Sequence, residues 1–376
     1  MLNSSQPKTI RCQIANLDVE MRQCVPEDGP KVNALYNRVF GLTRTDAMWN
    51  WRYVDNPASP ETPVGYILAE VDGRVVGQYA CLVRDFCVNG RLMPFQYAQD
   101  TALDSEFRKG FHFVRRILKT AVDFSSQAGS QIGYGFPNVA HHKIGKKVMG
   151  YVDVAQMAQL FRRLNRYLTV RKLAPPLADA LKPILRAVSA KYYQRQIRRA
   201  RAKLSTSLEV RAVDAFDDQA DALWERVKMA HPVIGLRDRT YLNWRYVQKP
   251  EVQYHRIVAS PRENRKMTGY MVLRLKSVEE SLVGYIVDFL CEDRKTFDTL
   301  LLEALDFFTE NQADFCLCMA PPDSQNYKWL SENGFTEKAF THTIPLVYTL
   351  LAGSDDPPLY RNSANWYLTF GETADL

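Results

Sequence analysis

Asp100 lies in the apolar run Phe95–Leu103. A carboxylate set in an apolar strand can have its pKa raised until it exchanges protons near neutrality, which is the chemistry of a general base. His141 and His142 stand side by side further along and titrate in the same range. Between these groups runs Phe107-Arg108-Lys109-Gly110-Phe111-His112-Phe113, which reads as a turn entering a helix. Unpaired N–H groups and the positive end of a helix dipole hold an anion there, and glycine lets the backbone approach it closely. Plainer accounts fit the same residues. They are a carboxylate bonded to a neighbouring strand end, two histidines on a polar helix face, and an ordinary turn with solvated charges.

The seven cysteines (Cys12, Cys24, Cys81, Cys87, Cys291, Cys316, Cys318) are scattered and never form a C-x-x-C pair. That pattern argues against zinc and against a disulfide framework, and for a reducing compartment. Cys316 and Cys318 alternate on an apolar strand and read as core. Hydrophobic residues at 46% and charged residues at 24% describe a folded chain. No apolar run is long enough to span a bilayer, and Met1–Gln13 lacks the apolar centre of a signal peptide. A cytoplasmic location is the expectation.

The elements that must position these groups occur twice. Asn50-Trp51-Arg52-Tyr53-Val54-Asp55-Asn56-Pro57 nearly recurs as Asn243-Trp244-Arg245-Tyr246-Val247-Gln248-Lys249-Pro250, 193 positions on (244 − 51). With six tryptophans in 376 residues, a chance match anchored on one carries little weight. The first half reads as strand 18–26, helix 29–40, strands 64–71 and 75–88 about the Asp72-Gly73 turn, and strand 95–103. Helix 111–127, strand 131–136, helix 140–148 and strand 151–160 complete it. The second half repeats the order from Leu208 to Asn333. Its aromatic–proline motif reads as an anchor of the chain to the sheet.

Between the halves, Arg162–Ser205 holds 13 Lys and Arg against one acid, Asp179, for a net +12. The whole protein carries only +7, so the remainder is net negative. Pro175, Pro176 and Pro183 break the segment into short helices. Such a segment suits an anionic membrane surface, an acidic carrier protein or a solvated bridging helix. Nucleic acid has no recognition motif here to support it.

The element order, with Gly133-Tyr134-Gly135-Phe136-Pro137-Asn138, the closing Met149-Gly150-Tyr151, its counterpart Asn333-Gly334-Phe335 and the ending Trp366-Tyr367-Leu368-Thr369-Phe370-Gly371, resembles the GNAT acyltransferase fold. The resemblance implies an α/β mixed-sheet protein of two GNAT-type domains in tandem: residues 18–160, a basic helical linker over 161–206, and 207–376. It also implies an acyl-CoA lying in a gap between the fourth and fifth strands, its pyrophosphate on a Gly-rich turn. Carried onto this sequence, the contacts fall on Leu103, Asp104, Phe107, Arg108, Lys109, Gly110, Phe111, His112, Phe113 and Asn138. The turn matches the family's [QR]-x-x-G-x-[GA] pattern only by half. In the second half, Cys291-Glu292-Asp293-Arg294-Lys295-Thr296 has no glycine and two acids that repel phosphate. The position of the family's tyrosine acid holds Lys146 and Leu330.

The leading expectation is therefore an N-acyltransferase. Acetyl-CoA or a longer acyl-CoA, or an acyl carrier protein, would donate to a small-molecule or peptide amine. The first domain would bind the donor, Asp100, His141 and His142 would move protons, and no metal would take part. The rival is a non-catalytic GNAT-like module that binds or scaffolds, for instance at an anionic membrane. A third reading, a transferase dependent on aminoacyl-tRNA, would also pair two such folds.

Overall fold

The computed structural model of the chain describes residues 7–59, 65–108, 111–127, 130–165, 167, 170, 174–204, 207–338, 343–351 and 357–373. Two compact units emerge. One comprises Met1–Gln156, Gln248–Glu251 and Ile344–Asn362; the other comprises Met157–Val247, Val252–Thr343 and Ser363–Leu376.

The first unit is built on β1 (Thr9–Ile14), β2 (Leu17–Gln23), α1 (Gly29–Phe40), α2 (Asp46–Tyr53), β3 (Ile67–Val71), β4 (Arg74–Val88) and β5 (Arg91–Leu103). Then come α3 (His112–Gln127), β6 (Ile132–Gly135), α4 (Val139–Val148) and β7 (Val152–Gln156). Hairpins join β3 to β4 at Asp72-Gly73 and β4 to β5 at Asn89-Gly90. All four turn residues have positive φ, the conformation that asparagine, aspartate and glycine adopt most readily. The apolar stripe of α3, with Phe113, Ile117, Leu118, Ala121 and Phe124, closes a core over Val76, Tyr79 and Cys81 of β4.

The second unit contains β8 (Ala158–Arg163), α5 (Pro175–Ala180), α6 (Lys182–Lys203), β9 (Leu208–Ala212), α7 (Asp218–Val227), β10 (Val233–Gly235) and α8 (Arg239–Tyr246). It continues through β11 (His255–Pro261), β12 (Gly269–Val278), β13 (Ser281–Cys291), α9 (Arg294–Glu310), β14 (Phe315–Ala320), α10 (Gln325–Glu332) and β15 (Thr336–Glu337). The last strands are β16 (Pro345–Leu350), in the first unit, and β17 (Trp366–Tyr367), which pairs with β10.

The two sheets repeat one plan. The first runs β1-β2-β3-β4-β5-β6-β16-β7 and the second β9-β11-β12-β13-β14-β8-β15. Each has antiparallel neighbours, a single parallel step (β5–β6, β13–β14), then antiparallel strands again. The compact units depart from the boundaries read in the sequence, because the halves exchange strands. The single strand expected over 151–160 breaks at the buried Met157: β7 joins the first sheet and β8 the second, while β16 returns to the first. Apolar residues run on through the break, so the sequence alone does not mark it. The basic segment is not a separate linker either. α6 lies in the second unit, where Arg186 pairs with the fully buried Asp314 and Arg201 with Glu303 and Asp306 of α9.

The tryptophan motif closes α2 and α8, at the same position in both units. Thr45 Oγ1 caps α2 at Met48 N, and Asp238 Oδ1 caps α8 at Tyr241 N. Trp49, Trp51, Tyr53, Trp244 and Tyr246 are buried, as expected of an anchor.

Candidate functional site

Parallel pairing of β5 with β6 covers only Phe95–Tyr97 against Ile132–Tyr134. β6 ends at Gly135, whereas β5 continues six residues further to Leu103 (103 − 97), so the two strands part after Tyr97. On the α3 side of these strands lies a cavity of about 20 Å³ walled by Tyr79, Cys81, Ala98, Gly133, Met149 and Tyr151. Its lining is almost wholly apolar, and its volume suits about one water or a methyl-sized group.

Proton-bearing groups surround it. The His141 ring stacks on Tyr79 at 6.2 Å, and His141 Nε2 lies 3.1 Å from the Tyr151 hydroxyl. Burial lowers the His141 pKa from 6.5 to about 4 and pushes both Tyr79 and Tyr151 up, so all three are neutral at neutral pH. Burial also lifts the Cys81 thiol to about 12. Gly145 of α4 makes this packing possible, since a Cβ there would fall 2.1 Å from the Tyr151 ring. His142 turns elsewhere: its Nε2 meets Asp153 at 2.5 Å, beside Lys146.

On β5 the ladder slips. Gln78 faces Ala102 and Ala80 faces Gln99, leaving Asp100 and Thr101 bulged opposite Tyr79. Asp100 takes φ 50°, and Gln78 Nε2 holds its carbonyl at 2.8 Å. Its carboxylate accepts from Arg44 Nη1 at 2.5 Å, Arg52 Nη1 at 3.2 Å and Tyr53 OH at 2.7 Å. Burial alone would raise its pKa, but Arg52, Arg44 and the Tyr53 bond together hold it below the ordinary carboxylate range. The upward shift expected from an apolar strand is thus reversed, and Asp100 stands as a locked anion rather than a proton acceptor.

The remaining candidates scatter along the strand-to-helix turn. Leu103 is buried, and Phe107 packs on Phe113 at 5.5 Å. Asp104 accepts from Arg38 and Arg74, and the Arg38 bond leads in lowering its pKa. Arg108 Nε donates to the Leu103 carbonyl at 2.8 Å. Phe111 and His112 are exposed where α3 begins, and Asn138 Oδ1 caps α4 at His141 N. Lys109 and Gly110 lie outside the described residues. Among the described residues no group of His, Cys, Asp or Glu is placed to hold a metal ion.

In the second unit the corresponding space is filled by the chain itself. β13–β14 pairing stops at Tyr285–Leu317, and the closing segment lies beyond it. Tyr367 OH reaches the Phe289 carbonyl at 2.5 Å, Thr369 Oγ1 reaches Asp288 at 2.9 Å, Asn326 Nδ2 reaches the Leu368 carbonyl at 3.5 Å, and Phe370 packs on Tyr285. The Asp293 carboxylate occupies the start of α9, accepting from Thr296 N at 2.7 Å.

Residues 20–147 match a family model described as an acetyltransferase (GNAT) domain. Solved structures sharing the fold include a GCN5-related N-acetyltransferase from Kribbella flavida, 14% identical with a TM-score of 0.58, covering 90% of this chain and 73% of that one. Another, from Anabaena variabilis, is 10% identical with a TM-score of 0.60, covering 88% and 72%. Saccharomyces cerevisiae N-myristoyltransferase with bound myristoyl-CoA is 11% identical with a TM-score of 0.56, covering 92% and 87%. Comparison with curated proteins finds no match. The chain thus has the mixed-sheet fold of these structures, and residues 20–147 match the GNAT acetyltransferase domain model.

The sequence reading misses Tyr79 and Arg44, and it includes Tyr53 only as part of the anchor motif and Tyr151 only as part of the closing Met149-Gly150-Tyr151. Arg44 had a usable signal, because Arg237 stands 193 positions on (237 − 44), as the tryptophans do. Tyr79 had none beyond strand alternation.

Proposed function

We propose that this protein is an N-acyltransferase that binds one acyl-CoA in its first unit and transfers the acyl group to an amine. The parting of β5 from β6 beside an apolar cavity carries the reading. The GNAT match over residues 20–147 and the acyl-CoA-bound N-myristoyltransferase of the same fold support it. The second unit would not bind a donor, since its gap is taken by Trp366–Phe370 and the α9 terminus by Asp293. The exposed start of α3, from Phe111, would take the pyrophosphate together with Lys109 and Gly110.

The amine nitrogen attacks the thioester carbon, the C–S bond breaks, the amine gives up a proton and the thiolate takes one. Neutral His141 is in the form that accepts a proton, and Tyr151 OH, within hydrogen-bond reach of it, can donate to the departing sulfur. His142 is turned to Asp153, and Asp100 would position Arg44, Arg52 and Tyr53. Most of the rate enhancement would come from holding amine and thioester together. A cavity of about 20 Å³ favours a short acyl group such as acetyl.

The locked Asp100 favours the second reading, a GNAT-like binding module without turnover. Thermal shift with acetyl-CoA, longer acyl-CoAs and CoA, followed by an assay of thiol release with amines, separates the two. Binding raises the melting temperature. Stabilisation by acetyl-CoA with amine-dependent thiol release supports the enzyme; no release with any amine supports the module; no shift with any CoA species sinks the enzyme reading.

A further inference from the structure

α6 carries apolar side chains on two faces, one buried and one exposed. Ser189 and Ile197 are buried, and Arg186 between them is fixed on Asp314. With 3.6 residues per turn, Ile184, Val188 and Tyr192 at i, i+4 and i+8 form a stripe on the opposite side. They are 58%, 63% and 45% exposed, and Leu177 of α5 is 56% exposed. Lys191, Arg195, Arg198 and Arg199 are exposed on the same side, next to the stripe and continuing it toward the C-terminal end of the helix. The stripe and the cationic stretch each extend roughly 12 Å along the axis.

We propose that this face of α6 docks on an anionic lipid surface, with Ile184, Val188 and Tyr192 set among the acyl chains at the headgroup boundary and the cations over lipid phosphates. Charge complementarity selects the partner. Arg162–Ser205 carries a net +12 within a chain of +7, and on α6 Lys191, Arg195, Arg198 and Arg199 are exposed while Arg186 and Arg201 pair with Asp314, Glu303 and Asp306. A fluid bilayer accepts an apolar stripe and adjoining cations without a matching groove, and each cation adds to the attraction. No helix among the described residues is long and apolar enough to cross a membrane, so the contact is peripheral. The inference is independent of acyl transfer.

The test is cosedimentation of the full chain with phosphatidylcholine vesicles, with and without added phosphatidylglycerol, across a salt series. Binding is expected only with the anionic lipid and should fall as salt rises. The triple variant Arg195→Gln, Arg198→Gln, Arg199→Gln should weaken partitioning on the order of a hundredfold. A second variant, Ile184→Ser, Val188→Ser, Tyr192→Ser, should weaken it by about tenfold or more. Both should keep the parent melting temperature, because every altered side chain is exposed, and only the apolar variant should keep the parent's salt response. Arg186→Gln is the control that should lower the melting temperature. Absence of vesicle binding overturns the proposal, as does binding indifferent to the apolar variant. A concentration-dependent dimer, or a complex with an acidic carrier protein, that the apolar variant abolishes while vesicles fail to bind would assign the face to that partner instead.

Discussion

Arg44 is bonded to Asp100 through Nη1 at 2.5 Å, and the pair recurs in the second unit as Arg237 on Asp288. Both arginines stand one position before the capping residue of their helix, so the cap that starts α2 and α8 also aims the guanidinium at the central strand. Duplication has thus preserved a buried ion pair along with the tryptophan anchor. The pairs differ in what completes them. Arg237 Nη2 also reaches Glu372 of the closing segment at 2.7 Å, whereas Asp100 gains Arg52 and Tyr53.

The Arg44–Asp100 pair should behave as a buried charge pair whose halves depend on each other. Asp100→Asn should cost about 3–5 kcal/mol, since it leaves Arg44 and Arg52 without their anion, and Arg44→Met should cost less, since Arg52 and Tyr53 still hold Asp100. The double variant should cost less than the sum of the two. Urea denaturation of the four proteins gives the coupling; additive losses would mean that the two side chains act separately.

If the cavity of the first unit receives the acyl group as proposed, Met149 should limit how much of it fits. It is a flexible wall of a cavity of about 20 Å³, and Met149→Ala should enlarge that space. The variant should lose about 2–5 kcal/mol of stability, by the cavity term. Relative to acetyl-CoA, longer acyl-CoAs should stabilise it more than they do the parent. An unchanged ranking of acyl-CoAs in thermal shift would place the acyl group elsewhere.

The second unit should take no donor, and its closing segment should be required for its stability. A Cβ on Gly371 would lie 2.4 Å from the Tyr246 hydroxyl and 3.2 Å from the Asp288 carboxyl carbon. Gly371→Val should therefore destabilise by about 3 kcal/mol or more. Isothermal titration of the parent with acyl-CoA should give one site per chain; two equivalent sites would contradict the internal plug.

Much of this architecture is legible in the sequence, for identifiable reasons. Asp72-Gly73 marks its hairpin because both residues adopt positive φ. The apolar spacing of Phe113, Ile117 and Ala121 gives α3 its inward stripe. The duplicated N-W-R-Y fixes the repeat because its Trp, Arg and Tyr side chains are buried in both copies. The exchange of β8 and β16 leaves no trace in local pattern, since a strand reads the same whichever sheet receives it. The state of Asp100 was misread for a related reason. Its strand is only partly apolar, with Gln99 and Thr101 on either side, and its charge is governed by Arg44 and Arg52, which come from a helix and its preceding loop far away in sequence. The role of Tyr151 escaped because its hydroxyl meets His141 only once α4 has folded back on Gly145.

Stability should fall with acid in two stages. His141 in the first unit and His231 in the second both have pKa values lowered from 6.5 to about 4, His141 by burial and His231 by burial and then Arg237. Between those values the unfolded chain binds more protons than the folded one, so stability rises with pH across the window and is lost as pH falls through it. Each histidine can contribute up to about 3 kcal/mol of that slope. Asp100, Asp104 and Asp153 are shifted below their ordinary pKa of 3.8, so their contribution is present above that value and fades only at still lower pH. Denaturation measured across the range should therefore show a first decline between pH 6.5 and 4 that His141→Asn and His231→Asn together reduce. A decline in that window unchanged in the double variant would mean that neither imidazole is held neutral by the fold.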